Sequence, residues 1–137
     1  MQAVKNCPIP NPGELRTLIV DDQLIMRELL KTILRALHIV NIEDTGVSDE
    51  AADLYRQARH DIVFMDIDMP GLNGFTALQQ LRAIDSKAFV VMVSAHSSAD
   101  NVKHALDLGA KGFIVKPYTS AKIAQMVKKR QSLVDKR

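Results

Sequence analysis

The sequence is short of cysteine, of aromatics and of long apolar runs, and each shortage closes off a class of protein. Its one cysteine, Cys7, excludes an internal disulfide and a cysteine-rich zinc site, and fits a reducing, cytoplasmic setting. No apolar run approaches the ~20 residues of a membrane span, and the polar start bearing Pro8, Pro10 and Pro12 does not read as a signal peptide. His38, His60 and His104 stand at no metal-ligand spacing and are expected on the surface. There is no internal repeat and no low-complexity segment.

What is present fits one domain. The chain has 137 residues, 47% of them hydrophobic, enough for a core of its own. The formal charge of +2 is unevenly placed. From residue 122 onward Lys122, Lys128, Lys129, Arg130, Lys136 and Arg137 face only Asp135, a local sum of +5, so the first 121 residues sum to −3. No aromatics interleave these basic residues and they follow helix periodicity. A solvated helix face is expected there, with no direct nucleic-acid binding.

Residues 1–14 carry prolines, Asn11 and Gly13 without periodicity and read as a flexible, extended leader. The domain is expected over 15–132, followed by a basic tail at 133–137. Within it, short apolar runs alternate with helical patterns. Leu18–Val20, Ile62–Met65, Phe89–Val93 and Phe113–Val115 are continuous rather than alternating, as in strands buried on both faces of a parallel sheet. Ile39–Glu43 is weaker and predicts an edge strand. Met26, Leu29, Leu30, Ile33 and Leu37 mark a first helix. Ser48, as N-cap, opens a second with Ala51, Ala52, Leu54 and Tyr55. Leu78, Leu81 and Ile84 mark a third, Val102, Ala105 and Leu106 a fourth closed by Gly109, and Ile123, Met126 and Val127 a fifth. Five strands alternating with five helices predict an α/β fold, a single open, doubly wound sheet with right-handed crossovers.

In such sheets, sites form beyond the carboxyl ends of the strands. Asp21 and Asp22 directly follow the first run, Asp66 and then Asp68 the third strand, Ser94 the fourth, and Lys116 the fifth. Two carboxylates about 5 Å apart repel by roughly 3 kcal/mol at an effective dielectric near 20. Three stay ionised only with a cation among them, and an oxygen-only set with open water positions favours Mg²⁺. A carboxylate beside Mg²⁺ and a lysine can act as nucleophile toward a phosphoryl group. The resulting acyl phosphate would add about −2 charge, with Ser94 and Lys116 as the available donors.

Leu18–Asp22, Ile62–Gly74, Val93–Ala95 and Gly112–Pro117 resemble the receiver domain of two-component response regulators, above all its stand-alone, chemotaxis-regulator type. The resemblance implies a flavodoxin-like sheet of order 2-1-3-4-5. It implies that Asp66 is the phosphoacceptor and that Asp22 and Asp66 ligate Mg²⁺ by side chain. Asp21 would act partly through water, and Asp68 by its backbone carbonyl. Lys116 would pair with a phosphoryl oxygen and precede a cis bond to Pro117. Ser94 would move in toward the phosphate, with Phe113 following as the switch aromatic. Moving a switch from 1:99 to 99:1 needs about 5.5 kcal/mol. A few charge-assisted hydrogen bonds of ~1.5–3 kcal/mol each approach that figure.

The resemblance further implies a cytoplasmic signalling protein rather than an enzyme, promoting only its own aspartyl phosphorylation and dephosphorylation. Its donor would be a histidine kinase or histidine phosphotransfer protein. Its target would dock on the face of helix four, strand five and helix five, with no membrane contact, the chain being a monomer or a weak phosphorylation-dependent dimer. Asp68 and His96 occupy variable rim positions and are expected as solvated loop residues. Phe113 lacks the hydroxyl many relatives carry there, and Tyr118 is expected to be a packing or partner-facing aromatic without a catalytic role.

Two alternatives stand beside this one. The chain is a receiver fragment of a larger regulator, although an output helix-turn-helix module would need roughly 60 further residues. Its Met1 start and polar basic end suit a whole protein instead. Or Asp66-Ile67-Asp68 is the paired-aspartate motif of a haloacid-dehalogenase-like phosphatase, which would place that motif on the first strand and add a cap domain.

Overall fold

The computed structural model describes residues 12–96 and 98–135; most of the expected leader, Cys7 included, and Lys136 and Arg137 of the tail lie outside the described residues. The elements run β1 (Arg16–Val20), α1 (Leu24–Ala36), β2 (Asn41–Thr45), α2 (Ala51–Ala58), β3 (Ile62–Asp66), α3 (Gly74–Ile84), β4 (Val90–Ser94), α4 (Ala99–Asp107), β5 (Gly112–Val115) and α5 (Ser120–Asp135). All neighbouring strands are parallel and the order is β2-β1-β3-β4-β5, as expected. Among the described residues no helix is long and apolar enough to cross a membrane.

The sheet divides the interior into two cores because successive side chains point to opposite faces. Leu18, Val20, Val63, Met65, Val90 and Met92 pack against α2, α3 and α4 through Tyr55, Leu78, Leu81 and Ala105. Ile19, Ile62, Phe64, Val91, Val93 and Ile114 pack against α1 and α5 through Leu30, Leu34, Ile123 and Val127. Each large aliphatic side chain buried this way contributes about 1.5–3 kcal/mol. β3 and β4 are buried along their whole length, which is why their sequences do not alternate. β2, at the edge, alternates exposed and half-buried residues and buries only Thr45.

At the edge strand and at Ser48, capping chemistry is the reason for the difference from expectation. The edge strand starts at Asn41 rather than Ile39, because Ile39 closes the end of α1. Its N–H donates to the Leu34 carbonyl and that of His38 to Arg35, both at 2.9 Å, with His38 in the left-handed region at φ 68°. This is a Schellman motif with histidine where glycine is usual, so no glycine announces it. Ser48 is not the N-cap of α2. It opens a 3-10 turn, Ser48–Glu50, and its buried hydroxyl instead donates to the Leu72 carbonyl. Gly109 ends α4 as expected, at φ 97° just past the helix. Residues Pro12–Glu14 form a 3-10 turn with Pro12 buried, and α5 continues through Asp135.

His60 is a further correction. Rather than lying on the surface, it is 4% exposed, with Nε2 at 2.6 Å from a Glu43 carboxylate oxygen and its ring against Tyr55. His38 and His104 are exposed as expected, His104 edge-on to Phe75.

Candidate functional site

Register brings the chemistry to one edge. Val20 pairs with Met65, Asp66 with Val93, and Ser94 with Val115, so the residues after each strand emerge side by side. α3 begins close beneath this edge. Gly74 is required there, because a Cβ would run into the Asp66 carbonyl oxygen and the Ile67 Cα. Asn73 caps the helix by accepting from the Thr76 N–H at 3.0 Å.

Carboxylate oxygens of Asp21, Asp22 and Asp66 all lie within 4.8 Å of one another, Asp21 and Asp66 buried and Asp22 exposed. Lys116 Nζ lies 2.8 Å from Asp21 Oδ2 and 3.4 Å from Asp66 Oδ2. The bond from Lys116 to Pro117 is cis. Burial, reinforced by the charge of Asp21, pushes the Asp66 carboxyl up to about 6 despite the opposing Lys116 ammonium and the Asp68 N–H. One ammonium therefore leaves the acids under-neutralised, and the hard oxygen donors suit a divalent ion with open water positions. The residues present fit Mg²⁺.

Ser94 is fully buried at the end of β4. Its Oγ accepts from the His96 N–H at 3.0 Å and donates to Asp68 Oδ2 at 3.3 Å. Asp68 is exposed, and its own N–H points at Asp66 Oδ1, 3.4 Å away. Phe113 is half-buried beside Met92 on the face of α2–α4. The His96 side chain is exposed.

Two residues at the site, Gln23 and Arg27, are not singled out by the sequence, and a third, Tyr118, does more than the packing expected of it. Gln23 donates its N–H to Asp21 Oδ1 at 2.9 Å and accepts from Lys116 Nζ at 3.3 Å. Its spacing of two from Asp21 is that of an Asx turn, a signal that was available. Arg27 donates to the Asp21 carbonyl at 2.8 Å and to Asp44 at 2.8 Å, tying the end of β1 to β2. Tyr118 does pack in the core, but its hydroxyl also reaches Asp21 Oδ2 at 3.5 Å. Burial, with Asp21 and Asp66 nearby, pushes that phenol far above its ordinary value, so it stays a protonated donor.

The model of the response regulator receiver domain matches residues 17–128. The Bacillus subtilis protein CcdB is 40% identical over 112 residues, spanning 82% of this chain and 93% of that protein. The Bacillus subtilis chemotaxis protein CheY is 37% identical over 116 residues, spanning 83% of this chain and 95% of its own. Among solved structures, a CheX–CheY–BeF₃–Mg²⁺ complex from Borrelia burgdorferi superimposes with a TM-score of 0.80 at 35% identity, over 91% of this chain and 92% of that one.

Proposed function

The chain belongs to the response regulator receiver family, and from that premise we propose that it is a single-domain phospho-signal carrier with Asp66 as phosphoacceptor. The observation that carries this reading is the meeting of Asp21, Asp22 and Asp66 with the Lys116 ammonium at one strand edge. Family membership speaks against the phosphatase alternative.

The donor would be a phosphohistidine on a histidine kinase or histidine phosphotransfer protein. An Asp66 carboxylate oxygen forms the new O–P bond as the P–N bond breaks. The imidazole nitrogen keeps that bonding pair and takes a proton from solvent. Asp22 and Asp66, with Asp21 partly through water and the Asp68 backbone carbonyl, would hold Mg²⁺, which when bound supplies positive charge against the phosphoryl oxygens. Lys116 exchanges its carboxylate partners for a phosphoryl oxygen. Ser94 turns its hydroxyl toward the same group, and Phe113 moves with it, altering the face of α4, β5 and α5 on which a target protein docks. Water attack on the acyl phosphate resets the chain, which turns over no other substrate.

The deciding experiment is to incubate the protein with Mg²⁺ and acetyl phosphate and measure intact mass. One phosphoryl adduct, absent in Asp66→Asn and in the presence of a chelator, is expected. A wild-type chain that stays unmodified under those conditions overturns the reading.

A further inference from the structure

Ser94 has one hydroxyl proton, and in this structure a carboxylate already holds it. The acceptor is Oδ2 of Asp68, 3.3 Å away, on the loop that follows the phosphoacceptor strand. The other side of the hydroxyl is also occupied, because its oxygen accepts from the His96 N–H. Among the described residues no cation pairs with Asp68, so Ser94 is its one side-chain partner. Ser94 is fully buried, so its hydroxyl has no bulk water to turn to.

We propose that Asp68 is a positioning residue that holds Ser94 back from the phosphoryl group, competing for the same proton. The inference rests on the reading of Asp66 as phosphoacceptor. A hydroxyl donates to one acceptor well, so a phosphoryl oxygen on Asp66 and the carboxylate of Asp68 exclude each other as partners of Ser94. Both are anions, so each would form a charge-assisted bond, and the switch position depends on the difference between them. The contact to Asp68 is long for a hydroxyl–carboxylate bond, and Asp68 is exposed, which makes the hold one that a phosphoryl group can break. Asp68 then sets how much phosphoryl-driven stabilisation the switch needs, without taking part in bond making.

Removing the competitor should tighten binding of a phosphoryl mimic. The test is calorimetric titration of beryllofluoride into the Mg²⁺-saturated full chain, comparing wild type, Asp68→Ala, Ser94→Ala and the double variant. Asp68→Ala is expected to bind about three- to tenfold tighter than wild type, the scale of one modest hydrogen bond. In the Ser94→Ala background the same change should have almost no effect. Equal tightening in both backgrounds would mean simple charge repulsion and overturn the proposal, as would no tightening at all. A wild type that binds no beryllofluoride would instead remove the phosphoacceptor reading beneath it. The His96 amide gives a second readout that needs no change at Ser94, since it donates to Ser94 Oγ. In Asp68→Ala without mimic, its nuclear magnetic resonance shift should move part-way toward the position it takes in mimic-bound wild type. An unmoved amide counts against the proposal.

Discussion

Lys116 is closer to Asp21 than to the proposed phosphoacceptor, at 2.8 Å against 3.4 Å, and the Lys116–Asp21 pair is almost wholly buried. Its ammonium therefore neutralises the acid that follows β1 while reaching toward the one that ends β3. Removing one partner of a buried pair leaves the other uncompensated, at a cost of about 3–5 kcal/mol where nothing relaxes. Lys116→Ala in chelator should lose roughly 2–4 kcal/mol at pH 8, because water reaches the exposed Asp22 side of the cluster. Urea unfolding checks this, and the deficit should shrink toward pH 5 as the Asp66 carboxyl, raised to about 6, protonates and the cluster loses one negative charge. A loss independent of pH would assign Lys116 a packing role only.

Asp66 makes the opposite contribution. Its carboxyl is raised from the ordinary 3.8 to about 6, so the fold favours its protonated form and ionisation opposes folding. That penalty is fully present above the folded value and vanishes as pH falls below the unfolded one. In metal-free buffer at pH 7.5, Asp66→Asn should therefore be more stable than wild type by about 1–3 kcal/mol. The advantage should fade between pH 6 and pH 4. Thermal melts across that window decide it; a variant less stable at pH 7.5 contradicts the assignment.

Mg²⁺ should stabilise the folded chain by mass action. At about tenfold excess over its dissociation constant the gain is roughly 1.4 kcal/mol. Asp22 is exposed and outside the Lys116 pair, so Asp22→Asn leaves the apo protein nearly unchanged while removing most of that gain. Melting curves in chelator and in excess Mg²⁺ make the comparison, and a shift that survives Asp22→Asn places the ion elsewhere.

Gly74 holds the first turn of α3 against the backbone of Asp66 and Ile67. Gly74→Ala should cost about 2–4 kcal/mol, since the obstacle is main chain and cannot rotate away. It should also weaken Mg²⁺ binding by displacing the end of β3. Unfolding and metal titration on one preparation test both; a folded variant with wild-type metal affinity refutes the second.

The sheet and its acidic edge were legible because parallel strands buried on both faces read as unbroken apolar runs, and the residues that follow them fall on one edge. Asp21, Asp22, Asp66, Ser94 and Lys116 could be located from that rule before any coordinate. The weakness of the Ile39–Glu43 run placed β2 at an edge, but the order of the other strands came from family resemblance, since their equally apolar runs do not rank them. His38 concealed the end of α1, because a left-handed histidine looks like any surface residue. His60 was misplaced because burial beside Glu43 is a relation between the loop after α2 and an edge strand that spacing does not encode. Tyr118 reaches Asp21 across 97 positions of sequence. Only packing reveals that its hydroxyl faces the acids.

The sheet is also a partition. Leu34 and Leu78 are both fully buried, yet they belong to cores on opposite faces and share no buried neighbour. Their free-energy losses on truncation should add to within about 0.5 kcal/mol, whereas Leu78 and Leu81, in one core, should show a measurable interaction energy. Additivity of that kind would let substitutions accumulate on one side of the wall without deepening their cost on the other, while the acidic edge stays braced from both, by Gly74 on one face and by Arg27 and Tyr118 on the other.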